Sequence, residues 1–355
     1  MISTVSMSEA NKPFGYWVLC LNKFRFSSFL LLAAGILLIA GCGGGSSPSP
    51  GAQRPDLTSI AWSGSQFVVV GYLYEPPATG VSYGKGIILT SPDGNAWTTS
   101  LSDGAKGLNC IIWNGSRFVV GSSNAILTSA DGLVWTQSTT MGGSIYGVVW
   151  SGAQFVAVGG DYNETNNTDT GFTLTSPDAF TWTARTSGTP YTFHDVAWSG
   201  SQYVAVAGGL SHVTAGTILT SPDGITWTSR LSDPAYKLSG ITWSGTQFVA
   251  VGGTATTPAI LTSPDGITWT PRTSGTLGSL YGVIWSGSQF VAVGGTGSSG
   301  VILTSPDGIT WADRTAGVAY NLLSAAWSGS QFVAVGLNGE IVRSPDGITW
   351  TVSNL

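Results

Sequence analysis

The sequence predicts an all-β chain: a seven-bladed β-propeller of four-stranded antiparallel blades, with one contiguous repeat per blade. Three observations predict it. First, a segment of the form Trp-Ser-Gly-x-Gln-Phe-Val-Ala-Val-Gly recurs, with its Trp at Trp62, Trp113, Trp150, Trp198, Trp243, Trp285 and Trp327. After a variable gap each copy is followed by Ile-Leu-Thr-Ser-Pro-Asp-Gly-Ile-Thr-Trp-Thr, whose Trp falls at Trp97, Trp135, Trp182, Trp227, Trp269, Trp311 and Trp350. Units of roughly 40–50 residues with several short apolar runs are the mark of radial β repeats. Second, the run Phe248-Val249-Ala250-Val251 is apolar at consecutive positions. A half-exposed antiparallel strand would alternate, so both faces of this strand are covered. Third, the first repeat (Ile60 to Gly71) and the last (Ala326 to Gly336) look like the middle ones. A stacked solenoid needs polar capping repeats. Without caps the ends must cover each other, and the array closes into a ring.

Along the chain, residues 1–41 read as a leader. Lys23 and Arg25 precede an apolar run from Phe26 to Ala40. That run is short for a membrane-spanning helix, which needs about 20 residues, and suits a signal-peptide core. Met1 to Asn22 is long for a leader, which makes Met7 an alternative start. The run ends Ile39-Ala40-Gly41-Cys42, and together with the basic flank this resembles the bacterial lipoprotein signal. The resemblance implies acylation of Cys42, which then becomes the N-terminus. Gly43 rather than Asp follows it, which by the lipoprotein sorting pattern favours an outer-membrane destination. Residues 42–56 are rich in Gly, Ser and Pro and read as a tether that holds the folded part off the bilayer by on the order of 20 Å. Cys20 leaves with the leader and Cys42 is consumed by lipid. Cys110 alone remains, so the mature chain has no internal disulfide and must rest on its core.

Only 9% of residues are charged, and losing the leader takes the formal charge from −5 to −7. An acidic chain without a basic cluster is not built for nucleic acid. No oligomerisation motif is evident, and a monomer is expected.

Residues 57–355 are the propeller. In the unit near Leu238 strand A is expected at Ser239 to Trp243 and strand B at Gln247 to Val251. Strand C is expected at Ile260 to Ser263, and strand D at Ile267 to Arg272. Strands of about five residues are usual. Their connections, Ser244-Gly245-Thr246 and Pro264-Asp265-Gly266, hold residues suited to tight turns.

Ser-Pro-Asp-Gly-Ile-Thr-Trp, starting at Ser221, Ser263, Ser305 and Ser344, resembles the Asp-box, or bacterial neuraminidase repeat; degenerate copies start at Ser91, Ser129 and Ser176. The family motif runs Ser-x-Asp-x-Gly-x-x-Trp, so these copies are one residue shorter between Asp and Trp. The resemblance covers nearly all of the propeller. It implies a structural role for Asp93, Asp131, Asp178, Asp223, Asp265, Asp307 and Asp346 in the hairpin between strands C and D. No second carboxylate recurs beside them, so no metal is expected, and no cofactor either.

Sialidases, the enzymes associated with this motif, need three clustered Arg, a Tyr–Glu pair and an Asp. Here Arg185, Arg230, Arg272 and Arg314 each fall three residues after a box Trp, on different blades. Glycosidases more generally need two carboxylates facing one bond. The propeller has only Glu75, Glu164 and Glu340 besides Asp residues mostly used in turns. His194 and His212 lack ligand-like spacing. The expected function is therefore a non-enzymatic binding or scaffolding lipoprotein of the cell envelope, taking a glycan or a protein. A sialidase-like hydrolase and an assembly factor for a membrane complex are the alternatives.

In a meander the B–C and D–A connections share one face, and there the repeats diverge. One column sits four residues before each strand A Trp: Thr58, Asn109, Tyr146, His194, Ser239, Tyr281 and Leu323. Aromatic and polar groups at a concave mouth suit sugar or peptide recognition. The candidate ligand residues are Tyr146, His194, Tyr281 and Asn109, with Tyr74 and Tyr83 from the first B–C loop.

Overall fold

The computed structural model describes residues 54–73, 84–140, 142–163, 168–208, 216–233, 235–315 and 317–353. Cys42, Tyr74, Tyr83 and His212 lie outside them. The described chain forms seven four-stranded sheets, each built from consecutive strands with every pairing antiparallel. Blade 1 spans Asp56–Lys106, blade 2 Leu108–Thr140, blade 3 Ser144–Thr186 and blade 4 Thr192–Asp233. Blade 5 spans Leu238–Arg272, blade 6 Ser279–Asp313 and blade 7 Leu322–Ser353.

In blade 5, strand A is Leu238–Trp243, B is Phe248–Gly253, C is Pro258–Ser263 and D is Thr270–Arg272. Strand D begins three residues later than its sequence suggests. Asp265 explains the delay: its Oδ1 accepts the N–H groups of Ile267 and Thr268, both at 2.9 Å. Those donors are spent on the turn and cannot join a ladder. The turn at Asp265 is thus an Asx-type turn between strands C and D.

Strand B is buried along its length, as its unbroken apolar run requires. Its first residue anchors an aromatic column. The Phe248 ring lies 4.4 Å from Trp243 and 6.3 Å from Trp269, centroid to centroid. The box Trp turns its indole N–H back to the Gly266 carbonyl at 3.0 Å, so it is satisfied within its own turn. Phe248 and Trp269 pack in one cluster with Val204 and Val206 of blade 4, so each core lies between blades.

A second device repeats on the same face. Gln66, Gln154, Gln202, Gln247, Gln289 and Gln331 each donate through Nε2 to the backbone carbonyl of the next blade's box Asp. The last of these runs from Gln331 to Asp93 and closes the ring. Asn338 N–H also donates to Asp56 Oδ1 at 2.9 Å across the seam. Among the described residues no strand is exchanged between blades 7 and 1. Cys110 is a buried free thiol, and loss of water pushes it up to about 12, so it is an inert core residue.

Candidate functional site

The innermost strand of each blade is a sheet edge. Its outward N–H and C=O groups face the central channel and need partners. In all seven blades that strand carries one β-bulge. The skipped residue is Thr58, Asn109, Tyr146, His194, Ser239, Tyr281 or Leu323. The variable column of the sequence is therefore the bulge column. A bulge leaves one residue out of the ladder and re-aims its side chain. All seven are half-buried.

The bulge needs room opposite it. In five blades a Cβ on the facing strand B glycine would strike the carbonyl two residues before the bulge residue; for Gly71 the contact would be 2.0 Å from Asp56 O. The Gly of Val-Ala-Val-Gly is thus part of how the bulge forms.

Thr58, Asn109 and Tyr146 reach toward the next blade. Thr58 Oγ1 donates to the Leu108 carbonyl at 2.7 Å, and Asn109 Nδ2 to the Ile145 carbonyl at 3.0 Å. Tyr146 and His194 stack, with centroids 6.3 Å apart and planes at 28°. Burial lowers the His194 imidazole to about 4, against its bond to the Gly208 carbonyl, so it is neutral at pH 7. Burial raises the Tyr281 phenol, against its bond to Ser279. Of the proposed ligand residues, Tyr146 and His194 are in contact, and Asn109 is tied to the strand that carries Tyr146. Tyr281 stands apart on blade 6.

The next column along matters too: Ser59, Cys110, Gly147, Asp195, Gly240, Gly282 and Ser324. Ser59 Oγ accepts from Ile111 N–H at 3.2 Å, and Asp195 Oδ2 from Ile241 N–H at 2.9 Å. Both bonds satisfy the free edge of the following blade. Asp195 is a functional-site candidate that sequence reasoning missed. Its column varies less than the bulge column, but Asp195 is the one charged residue in a column otherwise of Gly, Ser and Cys, and that was the available signal.

Elsewhere the candidate chemistry is dispersed. Each Arg of the repeated set bonds a Thr hydroxyl of its own blade: Arg185 to Thr175, Arg230 to Thr220, Arg272 to Thr262 and Arg314 to Thr304, at 2.8–3.1 Å. They sit on four blades and form no carboxylate-binding cluster. Among the described residues no group of three or more His, Cys, Asp or Glu is placed to hold a metal ion. Among the described residues, two grooves lie on the face of the A–B and C–D turns. One, of about 480 Å³, lies between blades 3 and 4 and is lined by Gln154, Arg185, Trp198 and Tyr203. The other, of about 370 Å³, lies between blades 2 and 3.

No protein-family profile matches the chain, and no curated protein matches it by sequence. Solved structures match in fold. YCF48 from Cyanidioschyzon merolae aligns with TM-score 0.58 at 15% identity, over 83% of this chain and 96% of that one. Virginiamycin B lyase from Staphylococcus aureus aligns with TM-score 0.62 at 10% identity, over 82% and 95%. Puromycin hydrolase aligns with TM-score 0.60 at 12% identity, over 86% of this chain but 55% of that one. A hydrolase and a lyase are among the proteins that share this architecture, and at such identities the likeness shows a β-propeller fold and nothing narrower.

Proposed function

We propose that this chain is a non-enzymatic binding or scaffolding protein that takes a glycan or protein ligand at the mouth ringed by the bulge residues. One observation carries the reading: seven bulges, one per innermost strand, hold the residues that differ most between otherwise near-identical repeats. Bulges re-aim side chains next to sites, and function on a repeated scaffold lives where repetition lapses. The Tyr146–His194 pair adds stacking area with polar edges. The dispersal of the Arg residues speaks against the sialidase alternative.

A glycan array and a pull-down with the mature protein test the reading. Ala variants at Tyr146, His194 and Tyr281 should weaken whatever binds by about 1–3 kcal/mol. Turnover of sialosides or aryl glycosides by the purified protein would replace it with the hydrolase. A stoichiometric membrane-complex partner would favour the assembly factor instead.

The same proposal assigns the protein to a bacterial envelope, lipid-anchored in the outer membrane, on the strength of the Ile-Ala-Gly-Cys junction at Cys42 and the Gly43 that follows it. Mass spectrometry of the mature N-terminus should find an acylated Cys42, and Cys42→Ser should release the protein from membranes.

A further inference from the structure

The Gln clamp fails at one boundary. Between blades 2 and 3 the Gln column holds Arg117, whose guanidinium carbon lies 4.5 Å from the centroid of the Phe180 ring. The repeat lapses here in a coupled way. The box glycine is Ala179, held at φ 67, a left-handed conformation that a side chain disfavours. At five clamped boundaries a Cβ on the box Gly would meet the clamping Gln Nε2 at 2.9–3.1 Å. With Arg117 turned onto Phe180 that obstacle is gone, and Ala179 is fully buried in the space. The coupling explains how these residues coexist.

It does not explain the surface around them. The box residues of blade 2 are Leu133 and Val134, 62% and 73% exposed, where most repeats have Ile and Thr. Phe180 is 44% exposed. The groove of about 370 Å³ is lined by Arg117, Ala130, Asp131, Val134 and Phe180 among others. Arg117, Ala130, Val134 and Phe180 all depart from the repeat. The larger groove between blades 3 and 4 is lined almost wholly by repeat residues. Departures gathered in one groove, with a strained backbone residue behind them, point to a site.

We infer that the groove between blades 2 and 3 is a second binding site, on the face opposite the bulge ring, for an acidic segment of a protein partner anchored by an aromatic or aliphatic side chain. Charge fixes the polar half of this assignment. Arg117 is the cation of the groove, and among the described residues no carboxylate pairs with it. The Asp131 carboxylate is held in its own turn through Oδ1, which accepts from Leu133 N–H at 2.9 Å, Val134 N–H at 3.0 Å and Ser129 Oγ at 3.0 Å. A guanidinium stacked on a ring is held in place while its N–H donors stay available to a carboxylate, so little entropy is lost on binding. Val134 and Phe180, which line the groove, supply the apolar half. Arg and aromatic residues are the usual anchors of protein interfaces.

A displayed random-peptide library, selected on the full mature protein, supplies the probe. Selected peptides are then titrated against wild type and the variant R117Q/V134T/A179G/F180I. That variant installs residues the other boundaries already use, and its melting temperature should match or exceed that of wild type. The expected result is enrichment of Asp or Glu beside Trp, Phe or Leu, with affinity for the repaired variant lower by tenfold or more, on the order of one lost anchor. Equal affinity for wild type and repaired protein overturns the site, as does a selection without enrichment. Binding lost in His194→Ala but kept in the repaired variant assigns the peptides to the mouth and also overturns it.

Discussion

Asp265 on the repeated face and Asp195 on the channel wall each accept two backbone N–H bonds. For Asp265 both are 2.9 Å, and for Asp195 they are 2.8 and 2.9 Å, from Val196 and Ile241. Their carboxyls nevertheless move in opposite directions. The Thr268 and Ile267 amides hold exposed Asp265 below the usual carboxylate range. Burial pushes Asp195 up to about 7, against its two amides. Matching amide bonds do not give equal charge: Asp265 stays in water and also accepts from Ser263 Oγ at 3.0 Å, whereas burial outweighs the amides at Asp195. The repeated face spends its carboxylates on turns, while the channel wall holds one carboxyl that titrates near neutrality.

The largest effect should come from the interior that both regions rest on. Phe248→Ala removes the ring that joins Trp243 to Trp269 and should cost about 3–5 kcal/mol in urea denaturation. A loss below about 1 kcal/mol would mean that the aromatic column does not hold the blade together.

The pH dependence of stability comes next and separates the two regions. Asp195 has a raised folded pKa, so its contribution is full below its ordinary value of 3.8 and is lost as pH rises through about 7. His194 has a lowered one, so its contribution is full above 6.5 and is lost as pH falls through about 4. The two oppose each other over that interval. Asp195→Asn should leave stability falling on acidification, and His194→Gln should leave it rising. Parallel pH profiles for both variants and wild type would refute the contrast.

Smaller effects belong to the repeated face. Gln247→Ala removes the clamp on the Asp307 carbonyl and should cost about 1 kcal/mol, read as a lower denaturant midpoint. Asp265→Ala should cost about 0.5 kcal/mol, because water can take over the exposed Ile267 and Thr268 amides. Its lowered pKa puts that contribution above the ordinary carboxylate value, to be lost as pH falls further. A larger loss for Asp265→Ala than for Gln247→Ala would show the turn to matter more than the clamp.

The architecture was legible because Phe-Val-Ala-Val cannot be a half-exposed strand and because the box Trp recurs without caps. Strand D was placed too early because Ile267-Thr268-Trp269 has the composition of a strand, and only the side chain of Asp265 takes its donors away. The bulge itself leaves no mark in a single repeat. Only the comparison of repeats showed the column to be special, and the same comparison held Asp195, Arg117, Val134 and Phe180. None of these four is marked by its residue type alone; the signal each carries is its departure from the repeat.

The seam between blades 7 and 1 is made of the contacts found at other boundaries: a Gln331 clamp and a shared core of Leu57, Phe67, Val333 and Val335. No blade is therefore privileged as first. Cutting the chain at any D–A connection and joining Ser353 to Asp56 would leave every blade whole. A tandem array of this kind can gain a unit by duplication without rewriting a closing strand, and each new unit brings a fresh bulge position to diversify. The gene for such a protein can treat the blade as its unit of revision, varying one residue in the channel while the rest of the repeat is copied.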